Sequence, residues 1–198
     1  MRTFQSTFVF ILITVILFAC QDLENMGPKG QLFMVDTDGK TATMNGEIQS
    51  NTLSEFNELL ASYPNIELIK MGDVPGSNDD EVNFKVGQAL RKSGINTHLL
   101  DNAEVASGGV DLFLAGVKRT RGSNTKLGVH SWSDGDGNEA SDYPLSSSEH
   151  QSNIGYYEDL GYSAQWASDF YFFTINAASA DNIHWMTEEE INQFNILN

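Results

Sequence analysis

The stretch Asn102–Gly116, "NAEVASGGVDLFLAG", decides how the chain is interpreted. A lone serine, Ser107, lies between a short apolar run and two glycines, and a helix-like apolar pattern follows it. A serine at the start of a helix has free backbone N–H groups beside it, and these favour the negative charge of a nucleophile. The same serine can instead cap the helix by accepting a hydrogen bond from the first turn. The stretch alone therefore leaves two interpretations of Ser107, a nucleophile and a helix cap.

Length and charge limit the class of protein. The chain has 198 residues, which is enough for one hydrophobic core of ordinary size, so one folded domain is expected. Its formal net charge of −16 argues against a nucleic-acid partner, because no basic patch is present to replace phosphate counterions. Apolar residues make up 40% of the chain, which excludes a disordered protein.

The first residues are typical of a targeting segment. Arg2 precedes an apolar run over residues 8–19, which is shorter than the roughly 20 residues of a membrane-spanning helix and suits a signal peptide. The run ends in "LFAC", which resembles a bacterial lipobox, and this resemblance implies cleavage before Cys20 and lipid on its thiol. The alternative is a plain secretory signal with an incidental cysteine. We expect residues 1–19 to be a signal peptide.

Location and domain organisation follow from that segment. Cys20 is the only cysteine, so the mature chain has no disulfide, thiol nucleophile or cysteine metal site. The residue after Cys20 is Gln21 rather than aspartate, which favours the outer membrane over the inner membrane. We expect a protein outside the cytoplasm that is lipid-anchored to the bacterial cell envelope, at the outer membrane or periplasmic face. Residues 20–30 are then the lipid anchor and a tether, and residues 31–198 are the folded domain.

Strand and helix patterns alternate along the folded part. Two strands are predicted around the turn at Asp38–Gly39, and further strands in "IELIKMG", "NTHLL" and "KLGVH". Thr52 with Glu55, and Thr187 with Glu190, have the spacing of capping boxes at helix starts. Apolar periodicity predicts helices over residues 52–63, 82–93, 108–116, 147–160, 163–178 and near the C-terminus. This alternation indicates an α/β fold with a largely parallel sheet covered by helices.

Four segments occur in a characteristic order. They are "NGEI" at 45–48, "VPGS" at 74–77, "ASGGVDLFLAGVKR" at 106–119 and "LGVHSW" at 127–132. In order and spacing they resemble the ClpP/crotonase superfamily, especially ClpP-like serine peptidases and their periplasmic relatives. The resemblance implies a repeated β-β-α spiral with a largely parallel sheet covered by helices.

The resemblance also implies a catalytic site. Ser107 would be the nucleophile and His130, which lies 23 residues later, the general base. The backbone N–H groups of Gly76 and Gly108 would form the oxyanion hole that stabilises the tetrahedral intermediate. Such a site needs no cofactor and no metal. The chain lacks a Gly-x-Ser-x-Gly elbow because Val105 occupies the first glycine position, so an α/β-hydrolase is not supported.

Two positions depart from the family pattern. When the chain is aligned on residues 185–187, the acid of the family falls near Ser179, and the nearest carboxylate is that of Asp181. Ser77 replaces the second glycine of the oxyanion loop, which narrows the backbone angles available there. Asp181 is the first candidate for the third catalytic residue, and the alternatives are Asp134, Asp136 and Asp169.

Other patterns indicate no further site. The segment Asp134–Asp142, "DGDGNEASD", alternates acidic residues as calcium loops do, but it lacks the glycine and glutamate of an EF-hand. We expect a solvated acidic loop there. The other histidines, His98, His150 and His184, do not have the spacing of zinc ligands. The aromatic run "DFYFF" at 169–173 is interpreted as a buried helix face or an oligomer contact.

Three functions remain open. The first is a cell-envelope lipoprotein with a ClpP-like serine hydrolase domain, a peptidase acting on a peptide or small ester or amide. Its partners would be that substrate and the membrane, through Cys20, and the resemblance leaves a homo-oligomer open. The second is a catalytically inactive ClpP-like fold that serves as a binding or assembly module. A crotonase-type enzyme is disfavoured because a protein outside the cytoplasm would not meet acyl-CoA.

Overall fold

A computed structural model of the chain describes residues 32–198. Within this range the backbone forms two β-sheets and six α-helices. The predicted signal peptide, the tether and the predicted lipidation site Cys20 lie outside the described residues. No helix between residues 32 and 198 is long and apolar enough to cross a membrane.

The elements follow the predicted alternation. The strands are β1 Phe33–Val35, β2 Thr41–Met44, β3 Leu68–Met71, β4 Asn96–Leu99, β5 Glu104–Ala106, β6 Arg119–Arg121, β7 Lys126–Val129 and β8 His184–Trp185. The α-helices are α1 Thr52–Ser62, α2 Asp80–Lys92, α3 Gly108–Leu114, α4 Gln151–Asp159, α5 Ala164–Ala177 and α6 Glu188–Gln193. Two short 3₁₀ helices cover Ala140–Asp142 and Ser148–His150.

The larger sheet has the strand order β1-β2-β3-β4-β6. Strand β1 is antiparallel to β2, and all other pairs are parallel. The hairpin between β1 and β2 forms because the carboxylate of Asp38 accepts hydrogen bonds from the N–H of Lys40 and Thr41, at 2.8 and 2.9 Å. Gly39 supplies the positive φ of the turn, +66°. The predicted hairpin and largely parallel sheet are confirmed.

The smaller sheet has the order β5-β7-β8 and carries the candidate site. Strands β5 and β7 are parallel, and β8 is antiparallel to β7. The sequence patterns missed β5, β6 and β8. These strands have three, three and two residues and little apolar periodicity, so they depend on pairing with neighbouring strands.

The helix caps confirm one predicted capping box and correct the other. Thr187 and Glu190 form both hydrogen bonds of the box at the start of α6. The capping box predicted at Thr52, at the start of α1, was wrong. Thr52 is already helical, and its Oγ1 accepts a hydrogen bond from the N–H of Gln49 at 2.9 Å. The Glu55 carboxylate is bound by other donors, including the side chain of Asn51 at 2.7 Å.

The aromatic run on α5 is a buried helix face. Phe170 and Tyr171 are buried, while Phe172 and Phe173 are partly exposed and pack against the core. The ring of Trp166 stacks on Phe170, with centroids 4.9 Å apart. This helix therefore forms one wall of the core next to the smaller sheet.

Candidate active site

Two adjacent strand ends bring Ser107 and His130 together. Strands β5 and β7 are parallel neighbours with Ala106 opposite Gly128, so the residues that follow them lie at the same edge of the sheet. Ser107 follows β5, and its N–H donates to the carbonyl of Gly128 at 2.9 Å. His130 follows β7. Both side chains line the same pocket, so the structure brings together the predicted nucleophile and base.

The backbone of Ser107 is in an unusual conformation. Its φ is 53° and its ψ is −131°, a combination that non-glycine residues rarely adopt. Strained conformations of this kind cost about 1–3 kcal/mol and occur preferentially at functional sites. Ser107 occupies the N-cap position of α3, yet its side chain accepts no hydrogen bond from that helix. The helix-cap interpretation of Ser107 therefore fails on this geometry.

The loop that contains Gly76 lies directly against Ser107. The N–H of Val74 donates to the Glu104 carbonyl at 3.1 Å, which fixes the loop beside β5. A Cβ added to Gly76 would lie 3.1 Å from the Cβ of Ser107 and 3.5 Å from its Oγ. The N–H groups of Gly76 and Gly108 donate to no other group within residues 32–198. Two free backbone donors thus flank the serine, as an oxyanion hole requires.

Side chains on the loop and on α2 hold the first turn of α3. The hydroxyl of Ser77 donates to the carboxylate of Asp80. The buried amide of Asn83 donates to the carbonyl of Gly108 at 2.8 Å. A Cβ on Gly108 would lie 2.3 Å from the Ser77 Oγ, so this position needs glycine. Ser77 therefore replaces the family's glycine without leaving the loop unsupported.

His130 is oriented by a backbone carbonyl. Its Nδ1 lies 3.1 Å from the carbonyl oxygen of Ala180. A carbonyl oxygen can only accept, so Nδ1 carries the proton of the neutral ring and Nε2 is left as an acceptor. This is the tautomer that a general base acting through Nε2 requires. No hydrogen bond joins His130 to Ser107 in the part of the chain that the structure describes.

The predicted third residue does not contact the histidine. Asp181 is exposed and makes no hydrogen bond to His130, whose Nδ1 is bound by the carbonyl of Ala180 instead. The structure thus places a backbone carbonyl where the resemblance implied a carboxylate. Alignment by sequence cannot distinguish these two cases, because every residue carries a carbonyl.

The alternative acids are engaged elsewhere or exposed. Asp134 accepts hydrogen bonds from Asn138 and Tyr143 within its own loop, and these hold its pKa well below the usual range. Asp169 accepts from Gln165 at 2.8 Å on the exposed side of α5. Asp136 is also exposed. None of these three carboxylates forms a hydrogen bond with His130 among residues 32–198.

The remaining histidines have protein partners. His150 is fully buried, with Nδ1 2.8 Å from the Tyr171 hydroxyl and Nε2 3.1 Å from the Pro144 carbonyl. The Tyr171 hydroxyl also accepts from the indole of Trp132 at 2.9 Å, so this network holds the loop that follows His130. Across residues 32–198 no group of three or more His, Cys, Asp or Glu side chains could hold a metal ion.

Sequence reasoning missed a carboxyl group in the same pocket. Asp111 lies four residues after Ser107 on α3 and accepts a hydrogen bond from the hydroxyl of Tyr157 at 2.5 Å. Burial raises the pKa of Asp111 to about 7, the negative charge of Asp80 adds to this rise, and the Tyr157 hydrogen bond opposes it. The spacing of four residues along a helix places both side chains on one face, and this signal could have been used.

Three solved structures with a similar fold are a stomatin-specific protease and two ClpP proteins. A mutant of the 1510-N membrane-bound stomatin-specific protease in complex with a substrate peptide is 22% identical, with a TM-score of 0.54, over 80% of this chain and 73% of that one. A ClpP1 mutant from Listeria monocytogenes is 20% identical, with a TM-score of 0.54, over 81% and 90%. The ClpP catalytic domain from Plasmodium falciparum is 17% identical, with a TM-score of 0.53, over 81% and 83%. The chain has a ClpP-like fold.

The likeness confirms the predicted fold class, and at these identities it shows the fold alone. No protein-family model and no curated protein matches the chain.

Proposed function

We propose that this chain is a serine hydrolase of the ClpP-like type that cleaves peptides, with Ser107 as nucleophile and His130 as general base. The observation that carries the proposal is the strained, positive-φ backbone of Ser107, which leaves its Oγ uncapped in one pocket with His130. A residue that only ended a strand would relax from this conformation, since the strain costs free energy and gives the Ser107 side chain no hydrogen bond.

The proposed reaction uses four groups of the site. Nε2 of His130 accepts the proton of Ser107 as Oγ attacks the carbonyl carbon of the scissile bond. The oxyanion of the tetrahedral intermediate accepts hydrogen bonds from the N–H of Gly76 and Gly108. Collapse of the intermediate breaks the C–N bond, and the leaving amine takes the proton from His130. Water then hydrolyses the acyl-enzyme, with His130 again acting as the base.

The contact between His130 and Ala180 decides how strong this base can be. The carbonyl fixes the tautomer and the ring, which are two of the roles of the acid in a triad. It lacks a full negative charge and stabilises the imidazolium less than a carboxylate would. We therefore propose a dyad supported by a backbone carbonyl, and we assign no catalytic role to Asp181.

A peptide is the substrate class that the available observations favour. One protein of similar fold is in complex with a substrate peptide. In this chain the pocket beside Ser107 continues into an open groove, with which it shares Asp80, Trp132 and Asn153. An extended substrate could lie in the groove and place one side chain in the pocket.

The location of the enzyme is a separate proposal. We propose that Cys20 carries lipid and anchors the hydrolase to the cell envelope outside the cytoplasm, at the outer membrane or periplasmic face, because the apolar run over residues 8–19 ends at this lipobox-like cysteine. Metabolic labelling with radioactive palmitate tests this directly. We expect label in the wild type and none in Cys20→Ser, and equal labelling of both would contradict the lipid site.

Peptide hydrolysis tests the proposed activity. The full chain, purified in mild detergent, is incubated with a defined peptide mixture, and the products are identified by mass spectrometry. We expect new cleavage products with the wild type and with Ser54→Ala, which removes an exposed serine on α1. Ser107→Ala and His130→Ala should give none. Cleavage that survives in a folded Ser107→Ala variant would contradict the proposal.

A second function is favoured by one observation. No hydrogen bond joins Ser107 to His130, and no carboxylate bonds His130, within residues 32–198. A binding or assembly module that has kept the fold would show these features. Peptides that bind the wild type tightly and remain intact in the hydrolysis experiment would favour this module over the hydrolase.

A further inference from the structure

The pocket beside Ser107 and His130 has the size of a short side chain. Its free volume is about 70 Å³, and about 10–15 Å³ is needed for each water-sized group, so it holds about five to seven heavy atoms. Apolar rings and branched side chains form one part of its wall. They are Val110, Val129, Tyr157, Phe170 and Ile175.

A carboxyl group with one free oxygen also lines this pocket. Oδ1 of Asp111 accepts the hydrogen bond from Tyr157 at 2.5 Å. Oδ2 accepts no hydrogen bond from residues 32–198, and Asp111 lines the pocket, so this oxygen can bind a ligand there. A carboxylate with a free oxygen favours a cationic donor, and the apolar part of the wall favours the methylene groups of that donor.

We infer that Asp111 is a specificity-determining residue that receives the lysine side chain of a peptide next to the scissile bond. This inference rests on the proposed hydrolase site, which determines where the scissile bond of the peptide lies. Binding of the lysine side chain to Asp111 does not itself depend on catalysis. A lysine side chain has five heavy atoms beyond its Cα, which fits the volume of the pocket, and its four methylene carbons would pack on the apolar part of the wall. Its ammonium group would bind Oδ2 of Asp111 in a charge-assisted hydrogen bond.

The groove that leads to the pocket favours the same substrate. Among the residues of 32–198 that line the groove, Lys85 is the only basic one, and it is paired with Glu81 at 2.5 Å. An excess of carboxylates concentrates cationic ligands near the site, as does the net charge of −16. The carboxylates that line the groove are Asp80, Glu81, Glu149 and Asp159.

The preference for lysine should depend on pH. Burial raises the pKa of Asp111 to about 7, so the carboxyl is mostly neutral at about pH 6 and mostly charged at about pH 8. The groups that face it are Tyr157, whose hydroxyl it binds, Tyr156, which donates to its backbone carbonyl, Asp80 on α2, and His130 across the pocket. Variants of Asp111 separate the contribution of this carboxyl to binding from that of the other groups.

Binding to a catalytically inactive chain tests the inference. Ser107→Ala, as the full chain in mild detergent, is titrated with acetyl-Ala-Ala-Lys amide, with the norleucine analogue as a neutral ligand of similar shape, and with the glutamate analogue. Kd is measured by isothermal titration at about pH 6 and about pH 8, on either side of the pKa of Asp111. The same titrations use Ser107→Ala combined with Asp111→Asn, and, as a matched control, with the exposed Asp169→Asn.

The inference predicts a specific pattern of affinities. At about pH 8 the lysine peptide should bind at least about tenfold more tightly than the norleucine peptide, the lower range for a charged hydrogen bond, and the glutamate peptide most weakly. The ratio should fall at about pH 6 and approach one with Asp111→Asn, while Asp169→Asn leaves it unchanged. Equal affinities at the higher pH, a lysine preference that survives Asp111→Asn, or no binding of any peptide would overturn it.

Cleavage by the wild type separates the two proposals. The same three peptides with a C-terminal aminocoumarin report hydrolysis of the bond after the variable residue. Lysine-selective binding without hydrolysis would leave the inference standing and contradict the hydrolase. Hydrolysis that is as fast after norleucine as after lysine would support the hydrolase and overturn the inference. If Asp111→Asn does not fold, the lysine-to-norleucine ratio in the chain with Asp111 intact still decides.

Discussion

Gly76 lies so close to Ser107 that a Cβ on the glycine would be 3.1 Å from the Cβ of the serine and 3.5 Å from its Oγ. The φ of Gly76 is +146°, a backbone conformation that residues with a side chain rarely adopt. The two residues come from separate segments, a loop and a strand end, and the loop carries one of the proposed oxyanion donors. The close approach of Gly76 to Ser107 therefore shows that the loop and the strand end lie together at the site.

The first prediction concerns Gly76. We expect Gly76→Ala to lower kcat for peptide hydrolysis about 100-fold or more, as the loss of one oxyanion donor does, because the new methyl group displaces the loop from Ser107. The control is Gly39→Ala, which also has a positive φ but has open space around it and lies far from the site in the β1–β2 turn. Equal activities of the two variants would contradict an oxyanion role for Gly76.

The second prediction concerns the stability of Ser107 variants. Ser107 makes no cap bond, so Ser107→Ala should change the free energy of unfolding by less than about 0.5 kcal/mol. Ser163 does cap α5, by accepting from the N–H of Trp166 at 3.2 Å, so Ser163→Ala should cost about 1 kcal/mol. Ser107→Gly should be more stable than Ser107→Ala by about 1 kcal/mol, because glycine adopts the positive φ without strain. Urea unfolding measures all three, and a Ser107→Ala cost equal to that of Ser163→Ala would restore the helix-cap interpretation.

The third prediction separates the histidine from the expected acid. His130→Gln should abolish hydrolysis, because it removes the base. Asp181→Asn should keep kcat/KM within about threefold, since Asp181 is exposed and the Ala180 carbonyl orients the ring. Steady-state assays on one peptide compare the two variants. A loss of several orders of magnitude in Asp181→Asn would show that this carboxylate does act on His130.

The fourth prediction concerns stability and pH. The pKa of Asp111 is about 7 in the folded chain, above its ordinary value of 3.8. The folded state therefore holds a proton that the unfolded state releases, and the stability that this proton provides is lost as the pH rises from about 4 to about 7. Asp111→Asn lacks the ionisation, so its stability relative to the wild type should increase over this range, by at most about 4 kcal/mol.

Urea unfolding at several pH values checks this expectation. The difference between Asp111→Asn and the wild type should level off above about pH 7, where the carboxyl is charged in both states. Asp159→Asn is the comparison, because Asp159 is an exposed acid whose carboxylate binds only Gln88, at 2.9 Å, within the described residues. A pH-independent difference between Asp111→Asn and the wild type would contradict the raised pKa.

The sequence predicted the parts of the fold that local chemistry determines. The turn at Asp38–Gly39, the capping box at Thr187 and the helix over 164–177 follow from nearby residues, and the structure has all three. The order of four segments predicted the ClpP-like fold. Strands β5, β6 and β8 could not be predicted, because their few residues pair only when the rest of the sheet is present.

The sequence also predicted only part of the candidate site. Four residues of the site have types and spacings that can be recognised in the sequence, and the structure brings them together. They are Gly76, Ser107, Gly108 and His130. The partner of His130 carries no such signal, since it is the backbone of Ala180, which only the three-dimensional path of residues 178–183 positions. The sequence therefore pointed to the nearest carboxylate, that of Asp181.

Reaction of the full chain with a fluorophosphonate, followed by mass spectrometry of the modified peptide, tests whether Ser107 is an activated nucleophile. An activated serine attacks this reagent, and an ordinary surface serine does not. The account predicts a single adduct on Ser107 in the wild type and its loss in a folded His130→Ala variant. A folded wild type without an adduct on Ser107, or an adduct formed equally well without His130, would contradict it.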